Sequence, residues 1–300
     1  MLSAVAKWPG MDDITEGIRR LRNDDEACAR LVASVTESPA TQQPVRAMKQ
    51  ILRTAGVACD GDSAERVLLA HAMDQSLKKI DELPVPPSVH DLIRKQFHSF
   101  RQPPGSPGPS LAVDAEENDP FIAACKLCTL RRFPAGPLDW VVSGVPRSWF
   151  LKVPLRDLPH FARFIFKEFG GIRPAFYVHI AHPPRNRALI IEKEVRRAYY
   201  RMAQSLVLQP AVKGIMCATW LHDPAAIDMY PYIASLNEPY LQFGGRLVTH
   251  LGPAPVSSGF LKFNSERREQ YGRGELRFKS VVAMWPRDAA ISWAEQNPDL

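Results

Sequence analysis

The stretch Ala175-Phe176-Tyr177-Val178-His179-Ile180 decides the fold. Its aromatic and β-branched content reads as a buried strand. The next segment, about Ala188 to Leu208, changes period. Ile191, Val195, Tyr199, Met202 and Leu206 fall on one helical face, Glu192 and Arg196 form an outward pair four residues apart, and Pro210 ends the helix. Val212 to Trp220 is apolar and bounded, which predicts a second buried strand. Strand, long helix, strand is the grammar of a crossover, and a crossover implies parallel pairing.

Working outward, the pattern continues. Asp223-Pro224 predicts a helix to about Leu241, with Pro231 as a break point. Gly244-Gly245 turns into a strand at Arg246 to Leu251, Phe278 to Trp285 is the last strand, and Asp288 to Ala294 a terminal helix. Upstream, Asp157 to Phe169 is a helix carrying Phe161, Phe164, Ile165 and Phe169, stopped by Gly170-Gly171. Trp149 to Val153 reads as a strand. The expected fold is α/β, a mixed sheet domain over 120–300 with at least some parallel strands.

Residues 1–100 have a different texture. Ile14, Ile18, Leu21, Cys28, Leu31, Val32 and Val35 make a helical stripe, and Pro44 opens a second helix that ends at Gly56. A third runs from Ala64 to about Glu82, closed by Leu83-Pro84-Val85-Pro86-Pro87. Ser88-Val89-His90-Asp91 has the spacing of a capping box for a fourth, with Leu92, Ile93, Phe97 and Phe100 apolar. This is a small helical region. Between it and the sheet domain, residues 101–119 hold Pro103, Pro104, Gly105, Pro107, Gly108 and Pro109, then four acids and no base. That composition buries too little to offset its ordering entropy and predicts a disordered linker.

Charge divides along the same line. Residues 1–119 carry 14 Lys/Arg against 18 Asp/Glu, and residues 120–300 carry 24 against 14, with 17 of those 24 being Arg. The planar guanidinium matches phosphate and carboxylate, so a small anionic ligand fits the second half; a solubilising surface is the competing reading. Nucleic acid is disfavoured, because no reading helix or Lys/aromatic patch accompanies the charge. No apolar run reaches the ~18–20 residues of a membrane span, and acids follow Trp8-Pro9-Gly10 where a signal peptide needs an apolar core. Five scattered cysteines suit reduced thiols. A cytoplasmic protein is expected.

Candidate chemistry concentrates at strand ends. His179, His182, Arg185 and Arg187 follow the first strand and precede the long helix, where ligands of open α/β sheets bind and where anions meet a helix N-terminus. Arg185 and Arg187 are the cofactor-binding candidates. His179 is a base candidate, or a strand histidine hydrogen-bonded in place. Trp220-Leu221-His222-Asp223-Pro224 is a second corner. His222 with Asp223 can be an acid/base pair, or Asp223 can simply cap the next helix. Tyr230 and Tyr232 are proton-donor candidates. Arg131 to Trp149 is dense in Arg and aromatics, which suits either a binding loop or packing over a sheet edge. Cys217 lies in an apolar strand and is expected to be buried and inert. Cys125 and Cys128 make half a zinc site at most, without a second pair, or two small apolar side chains one turn apart; no metal is expected.

Several motifs carry a resemblance. Arg132-Phe133-Pro134-Ala135-Gly136, Ser143-Gly144-Val145-Pro146-Arg147-Ser148-Trp149, Trp220-Leu221-His222-Asp223-Pro224 and Trp285-Pro286-Arg287 resemble a family of bacterial proteins of uncharacterised activity. The order of elements from 175 to 285 is similar to the C-terminal half of the acyl-CoA N-acyltransferase superfamily. That resemblance implies acyl-CoA as cofactor, bound at the strand-to-helix corner. The corner here, His182-Pro183-Pro184-Arg185-Asn186-Arg187, lacks the glycine-containing turn the superfamily uses, and two prolines remove two backbone donors. The expectation is an acyltransferase-like transferase acting on a small intracellular metabolite. The alternative is a non-catalytic interaction or regulatory protein that docks a partner through its N-terminal helices.

Overall fold

The structure is a computed structural model that describes residues 69, 72–74, 76–100, 120–181, 191–253 and 265–300. The helices expected before residue 64, the linker at 101–119 and the corner residues 182–187 lie outside the described residues.

The chain divides into two compact units, one of Met1–Leu83 with His90–Phe133, the other of Pro84–Val89 with Pro134–Leu300. In the first, a 3-10 turn at Ile80–Glu82 precedes α1 (Pro87–Phe100), whose larger part belongs to this unit, and α2 (Pro120–Cys128) follows. α1 begins at Pro87, one residue before Ser88, so the expected cap residue lies within the first turn instead, and a proline's missing N–H costs nothing at the helix start. Met73, Ile80, Ile93, Phe97, Leu127 and Cys128 are buried in it, and the Ser76 hydroxyl donates to the Cys128 carbonyl at 2.6 Å.

The second unit is the mixed α/β part. In chain order its elements are β1 (Arg132–Pro134, at its border), β2 (Leu138–Ser143), α3 (Arg147–Lys152), α4 (Leu158–Arg163) running into a π-helical turn at Phe164–Glu168, β3 (Ala175–Ile180), α5 (Glu192–Leu208) and β4 (Gly214–Thr219). Then come a 3-10 turn at Trp220–His222, α6 (Pro224–Met229), a 3-10 turn at Pro231–Leu236, α7 (Glu238–Gln242), β5 (Arg246–Pro253), α8 (Ser265–Gly272), β6 (Lys279–Pro286) and α9 (Arg287–Glu295). The six strands lie in the order β1-β2-β3-β4-β6-β5. β3 and β4 are parallel, and the pairs β2/β3, β4/β6 and β6/β5 are antiparallel.

Register assigns the two faces. Tyr177, Met216 and Met284 stand side by side on one, and Phe176, Ile215 and Trp285 on the other. The first face is covered by the segment from Val145 to Phe169, which contributes Trp149, Val153, Phe161, Phe164, Ile165 and Phe169 to one core. The second lies under α5 and α9, with Trp285 5.9 Å from Tyr199 and 5.3 Å from Trp293 between ring centroids.

One expectation is corrected. Trp149–Val153 is not a strand; α3 occupies most of it. Trp149 and Val153 are buried and four residues apart, while Leu151 and Lys152 between them are exposed. That is the helical spacing of an inward stripe, and Pro146 and Pro154 bracket it. The break predicted at Pro231 is present, as a 3-10 turn between α6 and α7.

The motif corners hold this scaffold together. Arg287 Nη1 donates to the carbonyls of Leu206, Gln209 (3.0 Å) and Val212 (3.5 Å), joining the C-terminal end of α5 to the approach to β4. Such a guanidinium satisfies carbonyls a helix end leaves open. Arg201 donates to the Ala135 carbonyl at 2.5 Å, fixing the loop after β1. Gly214 starts β4 where a Cβ would meet the Phe169 ring at 2.7 Å, so only glycine fits.

Candidate functional site

The parallel pair at the centre of the sheet is incomplete. β3 and β4 are each six residues long, yet their register covers only Phe176 with Ile215 and Tyr177 with Met216. On its other side, β3 pairs with β2 over six positions, from Ala175 to Ile180. The root is tied: Lys213 N–H donates to the Pro174 carbonyl at 2.8 Å. Beyond Tyr177 and Met216 the ladder stops, and the strands form a fork open toward their carboxyl ends. Burial follows the same line. Gly214 to Cys217 are buried, whereas Ala218, Thr219, His179 and Ile180 are partly exposed. The Cys217 thiol donates to the Val178 carbonyl at 3.5 Å, a weak side-chain bond just past the point where the ladder ends.

His179 stands on the arm of this fork. Its ring is 4.8 Å from that of Tyr177, which in turn lies 6.0 Å from Trp149. Across the closed side, its register partner on β2 is Asp139. Asp139 is 2% exposed, a buried acid inside an otherwise apolar strand segment. Sequence reasoning missed it. The signal available was Leu138-Asp139-Trp140-Val141-Val142, an acid within an apolar run, but its place opposite His179 follows only from the pairing of β2 with β3.

The second corner is built differently. Asp223 accepts from Ala225 N–H at 3.0 Å and from the backbone N–H of Lys279 at the start of β6. Both carboxylate oxygens are thereby used by backbone, and Asp223 is the N-cap of α6. His222 is 1% exposed. Its Nδ1 donates to Asn237 Oδ1, while its Nε2 is buried and meets no hydrogen-bond partner among the described residues. Its ring lies 6.0 Å from that of Tyr240, which is 5.2 Å from Tyr199. The Tyr199 hydroxyl donates to the Leu236 carbonyl at 3.1 Å. Burial lowers the His222 pKa to about 4, partly opposed by the Asn237 bond, so the imidazole is neutral near pH 7. Burial also holds the hydroxyls of Tyr199 and Tyr240 well above the ordinary tyrosine range and pushes the Cys217 thiol up to about 12. These are features of a packed core that holds the corner in shape, and Cys217 has no thiolate to offer.

The remaining candidates are dispersed. Tyr230 and Tyr232 flank Pro231 with ring centroids 6.1 Å apart, and Tyr232 is half exposed. Arg185 and Arg187 lie outside the described residues. The described start of α5 carries Glu192 and Glu194, acids that suit a helix N-terminus. They pair with Arg196 at 3.8 Å and Arg197 at 2.7 Å. Cys125 and Cys128 are buried in α2 of the other unit. Among the described residues there is no group of three or more His, Cys, Asp or Glu that could hold a metal ion. Nor, among them, is any helix long and apolar enough to cross a membrane.

No family model matches the chain, and no curated protein matches it significantly. Among solved structures, the chain is similar to an acyltransferase in complex with decanoyl-CoA and teicoplanin, at 11% identity and a TM-score of 0.42 over 75% of this chain and 67% of that one. It is similar to an acyltransferase in complex with decanoyl-CoA at 12% identity and 0.39, over 91% and 98%. A mutant acyltransferase in complex with octanoyl-CoA gives 12% and 0.36, over 80% and 88%. Likenesses this distant identify no activity; the chain's own geometry has to carry any functional reading.

Proposed function

We propose that the second unit is a transferase that takes an acyl-CoA-type thioester into the fork between β3 and β4 and passes the acyl group to a small nucleophile. The observation that carries this reading is the two-pair register of strands six residues long. Beyond the last pair the two strands share no ladder register. An extended ligand with amides of its own, as the pantetheine arm of CoA has, can add there as a short strand does to a sheet edge. Arg185 and Arg187, which follow β3 in the sequence, are the candidates to meet the phosphates of such a ligand. Guanidinium–phosphate bonds are charge-assisted and geometrically specific.

In this reading His179 is the base, because it stands on the fork and is partly exposed. His222 is given no proton-transfer role, being neutral and enclosed. The nucleophile attacks the thioester carbonyl carbon, a bond to that carbon forms and the C–S bond breaks. His179 takes the proton the nucleophile loses and returns it to the departing sulfur, so a thiol leaves and His179 ends neutral. Tyr230 and Tyr232 remain candidate donors for the sulfur.

Calorimetric titration with CoA, an acyl-CoA and ADP tests this. CoA and acyl-CoA should bind more tightly than ADP, because ADP lacks the pantetheine arm. If CoA and acyl-CoA do not bind, the transferase reading is lost and the non-catalytic partner reading takes its place.

A further inference from the structure

We infer that the outer surface of the α3–α4 layer is a docking surface for an anionic lipid bilayer, on which the second unit lies without spanning it. This inference makes no use of the fork and is independent of the transferase reading.

The layer has an inner and an outer face. Trp149, Val153, Phe161, Phe164, Ile165 and Phe169 are buried in one core with the sheet, and the Phe150 ring lies 5.1 Å from that of Phe161, so α3 and α4 pack side by side. Helical spacing turns the side chains between these buried positions outward. There, where polar residues are usual, stand Leu151, Leu155 and Phe166 at 88%, 86% and 60% exposed, the three barest large apolar side chains among the described residues. Leu155 sits in a turn closed by the Asp157 N–H donating to the Pro154 carbonyl at 2.9 Å. A single exposed leucine needs no explanation, but three such side chains on one layer mark an interaction surface. Side chains this bare protrude rather than line a groove. A fluid interface takes in protruding side chains without matching their shape, whereas a folded partner needs pockets for them.

Charge selects the kind of interface. Arg147, Lys152, Arg163 and Lys167 are exposed on the same layer, and none of them has a hydrogen bond or ion pair among the described residues. The two acids of the layer are already matched, Asp157 lying 3.5 Å from Arg156 and Glu168 2.8 Å from Arg246. Cations interspersed with exposed apolar side chains suit the headgroup region of anionic lipids, where apolar burial and electrostatic attraction add. One such signal gives only marginal attachment, and two together hold.

Co-sedimentation of the full chain with lipid vesicles tests this. The probes are vesicles of phosphatidylcholine alone and of phosphatidylcholine mixed with phosphatidylglycerol. The chain should bind the mixed vesicles, bind the neutral ones about tenfold more weakly or less, and be released by salt. Leu151→Ser with Leu155→Ser and Phe166→Ser should weaken binding to the mixed vesicles by about tenfold or more. Lys152→Glu with Arg163→Glu and Lys167→Glu should weaken it by about tenfold or more as well. Both triple variants alter exposed side chains only, so their unfolding midpoints should stay near the parent's. Absence of binding to the mixed vesicles overturns the inference without any variant. So does a folded apolar variant that binds them as the parent does, because only the diffuse attraction of a basic chain is then left. A dimer in light scattering that the apolar variant dissolves assigns the surface to a second copy of the chain and likewise overturns it. CoA affinity enters none of these outcomes, so failure of the transferase reading leaves the docking surface standing.

Discussion

The two flanks of β4 are a study in contrast. Toward β6 it pairs over six positions, from Gly214 with Pro286 to Thr219 with Val281, and its last turn is locked by Asp223 bonded to Lys279. Toward β3 it pairs over two and then parts. One flank carries a full ladder and the other a short one. The distinctive motifs belong to the first kind of surface: Trp285 is fully buried, Arg287 grips three carbonyls and Asp223 caps α6. A motif can therefore be sequence-distinctive for architectural reasons.

If that division is right, the largest loss of stability should come from the closed flank. Trp285→Ala removes a fully buried indole between Tyr199, Tyr240 and Trp293, and should cost about 4 kcal/mol, read as a lowered denaturant midpoint. A folded variant within about 1 kcal/mol of the parent would mean that the second face is not packed as described. Next comes pH. His222 is neutral in the folded state with its pKa lowered from 6.5 to about 4. Its stabilising contribution is therefore fully present above about pH 6.5 and is lost as pH falls toward 4, because the unfolded chain takes up the proton first. Roughly 3 kcal/mol should be lost across that window, and His222→Gln should flatten the slope; a parent protein equally stable at about pH 4.5 and 7 would deny the burial.

The open flank should respond in binding instead. Arg185→Ala with Arg187→Ala should weaken CoA by roughly 2–4 kcal/mol while leaving the unfolding midpoint in place, if both arginines meet phosphate. Equal CoA affinity in parent and double variant would take them out of the site. The smallest effect belongs to Cys217. Its thiol, raised to about 12 by burial, should alkylate far more slowly than an exposed cysteine, and rapid labelling in the folded chain would show the fork reaching deeper than its register implies.

The same contrast explains what is legible in the sequence. β3, α5, β4, β5, β6 and α9 are legible because Pro or Gly lies at or near an end of each. The α6 break is legible in Pro231 alone. β2 is not, because Asp139 interrupts its apolar run and Gly136-Pro137 obscures its start. α3 misleads because Trp, Phe, Leu and Val favour strands by composition, and only the burial of positions 149 and 153 reveals the turn. His179 is visible as a residue, but its place opposite Asp139 is not, since pairing between strands about 40 residues apart is written in no local pattern. The fork itself is a property of register, and register is a tertiary fact.

The tied root of the fork has a consequence in time. Lys213 N–H is bonded to Pro174 and Arg287 N–H to the Lys213 carbonyl at 2.9 Å, so β3, β4 and β6 are pinned together at one end. Opening fluctuations at the free end then pivot about that pin, with amplitude growing along the strands. Amide hydrogen exchange should register this as a gradient within single strands, slow near Ile215 and faster toward Thr219. A ligand lodged between the arms would erase the gradient from its open end, slowing those amides first and leaving those at the pin as they were.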